Sequence, residues 1–130
     1  MSNSKRSSAG ATVDDASATR VSGVSPSEWE PFPFAEVHEG DPDGRVHWLR
    51  QESGGDGILL TGIFTAQPCK VPYEFIGDES FHLMEGEITV AVEGGDTVDL
   101  GPGDIASFPK GARSAWHIKS PMKKFFVISG

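Results

Sequence analysis

Cysteine is nearly absent: Cys69 stands alone among 130 residues, which excludes an intrachain disulfide, and with four scattered His residues it offers no zinc-finger spacing. Long hydrophobic runs are missing. Gly, Asp, Glu or Lys interrupts each apolar stretch well short of the roughly 20 residues of a membrane helix, so the chain reads as soluble. Basic residues are in deficit, eleven Lys and Arg against nineteen Asp and Glu, and the resulting formal charge of -8 repels phosphate backbones and anionic headgroups. Nucleic acid and membrane are therefore not expected as partners. Helix-period patterning of useful length is missing too, as is any internal repeat, and the length accommodates one domain.

What the chain has in quantity is punctuation, with sixteen Gly and nine Pro. From Trp29 onward, segments of Val, Ile, Phe, Trp and Tyr alternate with Gly and Pro clusters every 8 to 12 residues or so, the rhythm of a β-sandwich or small barrel. Strands are predicted over Arg45 to Gln51, Ile58 to Ala66, Lys70 to Ile76, Glu79 to Met84, Glu87 to Val92, Thr97 to Leu100, Ile105 to Phe108, Arg113 to Ile118 and Lys124 to Ile128. Pro72 lacks a ladder donor, so its strand is expected at an edge or a bulge. Ser53-Gly54-Gly55-Asp56-Gly57 and Glu93-Gly94-Gly95-Asp96 supply the positive φ angles of hairpin turns. A closed barrel is expected, since closure removes the exposed edges of many short strands.

Residues 1–27 differ from the rest. They are rich in Ser, Ala and Gly and carry no aromatic residue, a composition that buries too little apolar surface to offset ordering, so a flexible N-terminal arm is expected ahead of a domain spanning 28–130. Lys5 and Arg6 precede no apolar stretch of signal-peptide length, and Asp14 and Asp15 argue against a transit peptide, which places the chain in the cytoplasm.

The segment Gly77-Asp78-Glu79-Ser80-Phe81-His82-Leu83-Met84-Glu85-Gly86-Glu87, followed by Gly101-Pro102-Gly103-Asp104 and Phe108-Pro109-Lys110-Gly111, resembles the cupin superfamily. Glu79 and Gly86 match the Glu and the closing Gly of the first cupin motif, and Gly103, Pro109 and Gly111 match the second. The ending, Trp116 and then Lys124 to Ile128, is similar to the subgroup containing ureidoglycine aminohydrolase and the ethanolamine-utilisation cupins. The resemblance covers about Gly62 to Ile128 and implies an all-β jelly-roll β-barrel of the cupin type. In that family two His and the Glu of the first motif, with one His of the second, hold a metal. Here the paired His positions fall on Tyr73 and Phe75, or on Pro72 and Glu74, and the last falls on Ser114, so only Glu79 is retained and neither metal nor other cofactor is expected.

Strand alternation puts Glu79, Phe81 and Leu83 on one face and His82 on the other; it likewise separates Ser114 and Trp116 from His117. Neither His can rebuild the site unless a bulge shifts the register. If the family register holds, Tyr73, Phe75, Phe81, Ser114 and Trp116 line the interior around Glu79, either as a small-molecule site or as the packed core of a small barrel. A carboxylate among rings either keeps a raised pKa, which suits a general acid or base, or meets Lys70, Arg113 or Lys124. Function then divides between a metal-independent enzyme acting on a small polar metabolite through Glu79 and a non-catalytic binding or structural cupin. A homodimer is expected as well, with Trp29-Glu30-Pro31-Phe32-Pro33-Phe34 and the arm lying across the neighbouring copy.

Overall fold

A computed structural model describes residues 18–130. It is all-β, with eleven strands: β1 (Glu30–Pro31), β2 (Glu39–Gly40), β3 (Arg45–Gly54), β4 (Gly57–Ala66), β5 (Cys69–Glu74), β6 (Asp78–Glu85), β7 (Ile88–Val92), β8 (Thr97–Leu100), β9 (Ile105–Phe108), β10 (Arg113–Ile118) and β11 (Met122–Ser129). They form two antiparallel sheets, β1-β3-β4-β11-β6-β9 and β2-β5-β10-β7-β8, facing one another across an apolar interior. The described residues contain no helix, and so none long and apolar enough to cross a membrane.

The closed barrel expected from the sequence is not observed, because among the described residues no strand belongs to both sheets. Closure is by side chains, which suffices because every terminal strand is short: β1 and β2 have two residues, β8 and β9 four. Pro72 fits its strand for the predicted reason. β2 pairs with β5 only at Cys69 and Lys70, so beyond Lys70 that side of β5 is an open edge where a missing N–H costs no ladder bond.

The turns follow from their glycines. Gly94, at φ 72°, turns β7 into β8, and the loop closes with Val92 N–H donating to the Asp96 carbonyl at 2.9 Å. Gly86 serves the β6 to β7 turn at φ 98°, where a Cβ would stand 2.7 Å from Met122 Cα. A side chain there would force β11 away from β6.

Residues before the barrel pack on their own chain. Phe32 N–H donates to the Gly44 carbonyl at 2.8 Å, and Phe32 and Phe34 both meet Phe64 edge-to-face, at 5.4 and 6.1 Å. Trp29 meets His47 edge-on at 6.4 Å, and the His47 Nδ1 is 2.8 Å from the Glu28 carbonyl oxygen. Phe64 and the space before it accept both rings, so Phe32 and Phe34 cover the larger sheet of the same chain. Of the expected arm, residues 1–17 lie outside the described residues. Within 18–27, Thr19 Oγ1 donates to the Leu49 carbonyl at 3.1 Å, and Lys123 Nζ donates to the Val24 carbonyl at 3.3 Å.

Candidate functional site

Period-2 alternation carries the site. On β6, Glu79, Phe81 and Leu83 are buried while Ser80 and His82 are exposed; on β10, Ser114, Trp116 and Ile118 are buried while His117 is exposed. On β11 the inward set is Met122, Lys124, Phe126 and Ile128, so this strand directs a lysine into the apolar interior. Side-chain exposure is 2% for Glu79 and 9% for Lys124, and Lys124 Nζ donates to Glu79 Oε2 at 2.7 Å. Of the cations available to Glu79, Lys124 is the one it meets. Lys70 and Arg113 pair instead with Glu39 and Glu74 at the surface.

The ammonium is enclosed by rings. Its nitrogen lies 4.5 Å from the Phe81 centroid, 4.7 Å from that of Trp116, 5.4 Å from Phe64 and 5.8 Å from Phe126. Ring faces attract a desolvated cation, which offsets part of the cost of burying it. Tyr73 OH donates to the other carboxylate oxygen, Glu79 Oε1, at 3.1 Å. Burial, then the negative charge of Glu79, then this hydrogen bond raise the Tyr73 pKa far above its ordinary value of 10.0. Ser114 stands behind the ring cluster, donating to the Tyr73 carbonyl at 2.8 Å and accepting the Trp116 indole N–H at 3.0 Å, which fixes the plane of Trp116.

A cavity of about 180 Å³ opens beside this pair, with Tyr73, Glu79, Trp116 and Lys124 in its wall. The remaining lining is apolar and includes Trp48, Leu60, Phe64 and Phe126, with Phe32 and Phe34 from the segment before the barrel. Phe75 and Phe81 do not line it. Phe75 is 1% exposed and stacked on Phe108 at 4.8 Å, and Phe81 also stacks on Phe108, at 5.9 Å, so these buried rings pack among themselves and not in the cavity wall. Ser114 borders a separate groove of about 390 Å³ on the far side of Tyr73. Sequence reasoning placed Lys124 among possible partners of Glu79 but not among the site residues; the signal was its position in the alternation Met122, Lys124, Phe126, Ile128.

The donors present do not fit the metal that the cupin resemblance implies. Both Glu79 oxygens are engaged by Lys124 and Tyr73, Phe75 has no donor atom, and Ser114 Oγ is committed to backbone and indole. Among the described residues no three His, Cys, Asp or Glu side chains converge. The Lys124 ammonium stands against the carboxylate as the local cation. Elemental analysis of the purified protein is expected to find no stoichiometric manganese, iron, nickel or zinc, and one equivalent of any of them would overturn this account of the ligand set.

Tyr73 is the sole tyrosine of the chain, so its ionisation can be followed directly. A folded-state pKa above the unfolded value means that its contribution to stability is complete below pH 10 and is lost as the pH rises past 10 towards the folded value. The loss attributable to Tyr73 has a slope of at most about 1.4 kcal/mol per pH unit. The ultraviolet tyrosinate band is expected to appear together with unfolding, and Tyr73→Phe to remove that slope. A tyrosinate signal rising near pH 10 while the circular dichroism stays native would show the hydroxyl to be open to water.

Two facing antiparallel sheets with aromatic walls, an interior carboxylate at the family position and motif glycines at the matching turns define a small jelly-roll protein of the cupin class. The family model described as the EutQ-like cupin domain matches residues 53–126, more than half of the chain, and the chain belongs to that family. Solved structures agree on the fold. An ethanolamine utilization protein Q from Salmonella typhimurium matches with a TM-score of 0.56 at 21% identity, over 66% of this chain and 68% of that one. A cupin superfamily protein from Desulfitobacterium hafniense matches with a TM-score of 0.57 at 17% identity, over 79% and 98%. A protein of unknown function from Pseudomonas syringae reaches a TM-score of 0.68 at 19% identity, over 78% of this chain and 44% of its own. No curated protein matches the chain.

Proposed function

We propose that this chain is a metal-independent small-molecule-binding cupin whose ligand occupies the cavity beside Lys124. The observation that carries the reading is a cavity of about 180 Å³ with an almost wholly apolar lining and one ion pair in its wall. Apolar walls supply burial, and a few fixed polar atoms supply orientation. The lining favours a mainly apolar occupant over the small polar metabolite expected from the sequence. Glu79 acts in this reading as the group that holds the ammonium in place, since both of its oxygens are occupied. Acid or base catalysis by Glu79 is accordingly not the role assigned.

Melting temperature measured against a panel of benzene-sized to naphthalene-sized compounds tests this. A ligand of the folded state at 100 times its dissociation constant adds about 2.7 kcal/mol of stability, and its chemical-shift changes are expected at Trp48, Tyr73 and Trp116. If no compound of that size raises the melting temperature, the cavity is a packing defect and the reading fails.

A further inference from the structure

The ion pair uses little of what Lys124 can offer. An ammonium carries several N–H donors, and among the described residues Lys124 Nζ has one hydrogen-bond partner, Glu79 Oε2. Around the rest of the nitrogen lie ring faces, which attract its charge but give its remaining N–H groups no lone pair to bond, and the open space of the cavity. A buried donor without an acceptor is costly, and more so when charged.

The charge balance of the wall constrains what can supply that acceptor. Glu79 and Lys124 cancel, and the Tyr73 hydroxyl is the neutral donor to Glu79 Oε1. An anion entering the cavity would face an ammonium already neutralised by Glu79 and would lose its hydration among rings; a cation would meet Lys124 directly. An uncharged molecule avoids both costs. Size follows from the volume: an apolar cavity of about 150 Å³ accommodates benzene, so about 180 Å³ accommodates a monocyclic compound with a short substituent.

We infer that the ligand class of this site is an uncharged, largely apolar molecule of one ring or comparable bulk that carries a single carbonyl or hydroxyl oxygen, and that this oxygen accepts a hydrogen bond from Lys124. The inference rests on the cavity-binding reading above and narrows it to one chemistry. Tyr73 and Glu79 position the ammonium, and Trp116 presents a flat face beside it.

Four probes of matched size separate the possibilities on the unmodified protein: acetophenone, isopropylbenzene, benzoate and benzylammonium, titrated by calorimetry or by chemical-shift perturbation. Acetophenone is expected to bind about tenfold more tightly than the other three, although isopropylbenzene is the more hydrophobic; the difference is that of one charge-assisted hydrogen bond. The variant Glu79→Gln/Lys124→Met, checked for native circular dichroism, is expected to lose this preference, with isopropylbenzene binding at least as well as acetophenone. Isopropylbenzene matching acetophenone in the unmodified protein would overturn the inference and leave the cavity-binding reading standing, as would benzoate or benzylammonium binding most tightly. Failure of all four probes to bind would overturn both.

Discussion

Glu79→Gln is expected to lower the stability of the folded chain by about 3–5 kcal/mol, because it leaves the Lys124 ammonium buried without its counter-charge. The substitution is nearly isosteric and keeps an oxygen to accept the Tyr73 hydroxyl, so neither packing nor that hydrogen bond accounts for the loss. Lys124→Met makes the converse cut and leaves the carboxylate uncompensated, at similar cost. Exchanging both partners removes both buried charges, and desolvation is avoided along with the Coulombic attraction, so Glu79→Gln/Lys124→Met is expected to recover most of the deficit. Urea denaturation of the four proteins closes the double-mutant cycle, with a large coupling between the two positions as the expected result. Losses that simply add, or a Glu79→Gln protein that melts like the parent, would mean that water reaches the pair.

Phe75→Ala is expected to cost about 3–5 kcal/mol through the cavity it leaves. Phe75 lies just past the end of β5, yet it is tied to the loop before β10: its N–H donates to the Ala112 carbonyl at 2.9 Å, and its carbonyl accepts the Gly111 N–H at 2.8 Å. With the backbone fixed on both sides and Phe108 stacked against the ring, the surroundings have little freedom to collapse into the space. Tyr73 also leans on this ring, edge-to-face at 4.9 Å, so the hydroxyl that donates to Glu79 loses its support. Phe75→Leu keeps much of the volume and is expected to cost less than about 1.5 kcal/mol. Both values are read from denaturant midpoints at unchanged slope. A small loss for Phe75→Ala would place the ring at an open ligand surface, the role that the sequence suggested for it.

The strands were legible because Gly and Pro bound them and because inward and outward residues alternate along β6, β10 and β11, the strands that carry the site. Glu79 over Ser80 and Trp116 over His117 follow from parity alone, and the structure has the same inward and outward residues. Parity also held the clue to Lys124, but a lysine after Lys123 near a strand end reads equally well as a solvated charge. The identity of its partner depends on β11 lying beside β6, which no local pattern encodes. The outer wall of the cavity was hidden for a related reason: Phe32 and Phe34 lie in a Pro-interrupted segment with no period, and where such a segment folds back is decided by the site that receives it. The two-sheet jelly roll was legible in the same rhythm; only the expected closure differed, because short terminal strands satisfy the edge problem without it.

The position of β11 bears on how the molecule assembles. It lies between β4 and β6, pairing Phe126 with Gly62 on one side and with Phe81 on the other, so a late segment of the chain becomes an interior strand of the larger sheet. Before it docks, the β3–β4 hairpin can form from local contacts, but the facing sides of β4 and β6 have bare backbone donors and acceptors. Bringing together segments so distant in sequence incurs the loop-closure entropy before any contact offsets it, which puts the chain among the slower two-state folders, in the millisecond-to-second range. During that interval the vacant slot can accept a strand from any molecule. The most consequential competitor for β11 is the β11 of another copy, whose capture would exchange the strand between chains and carry Lys124 into its neighbour's cavity.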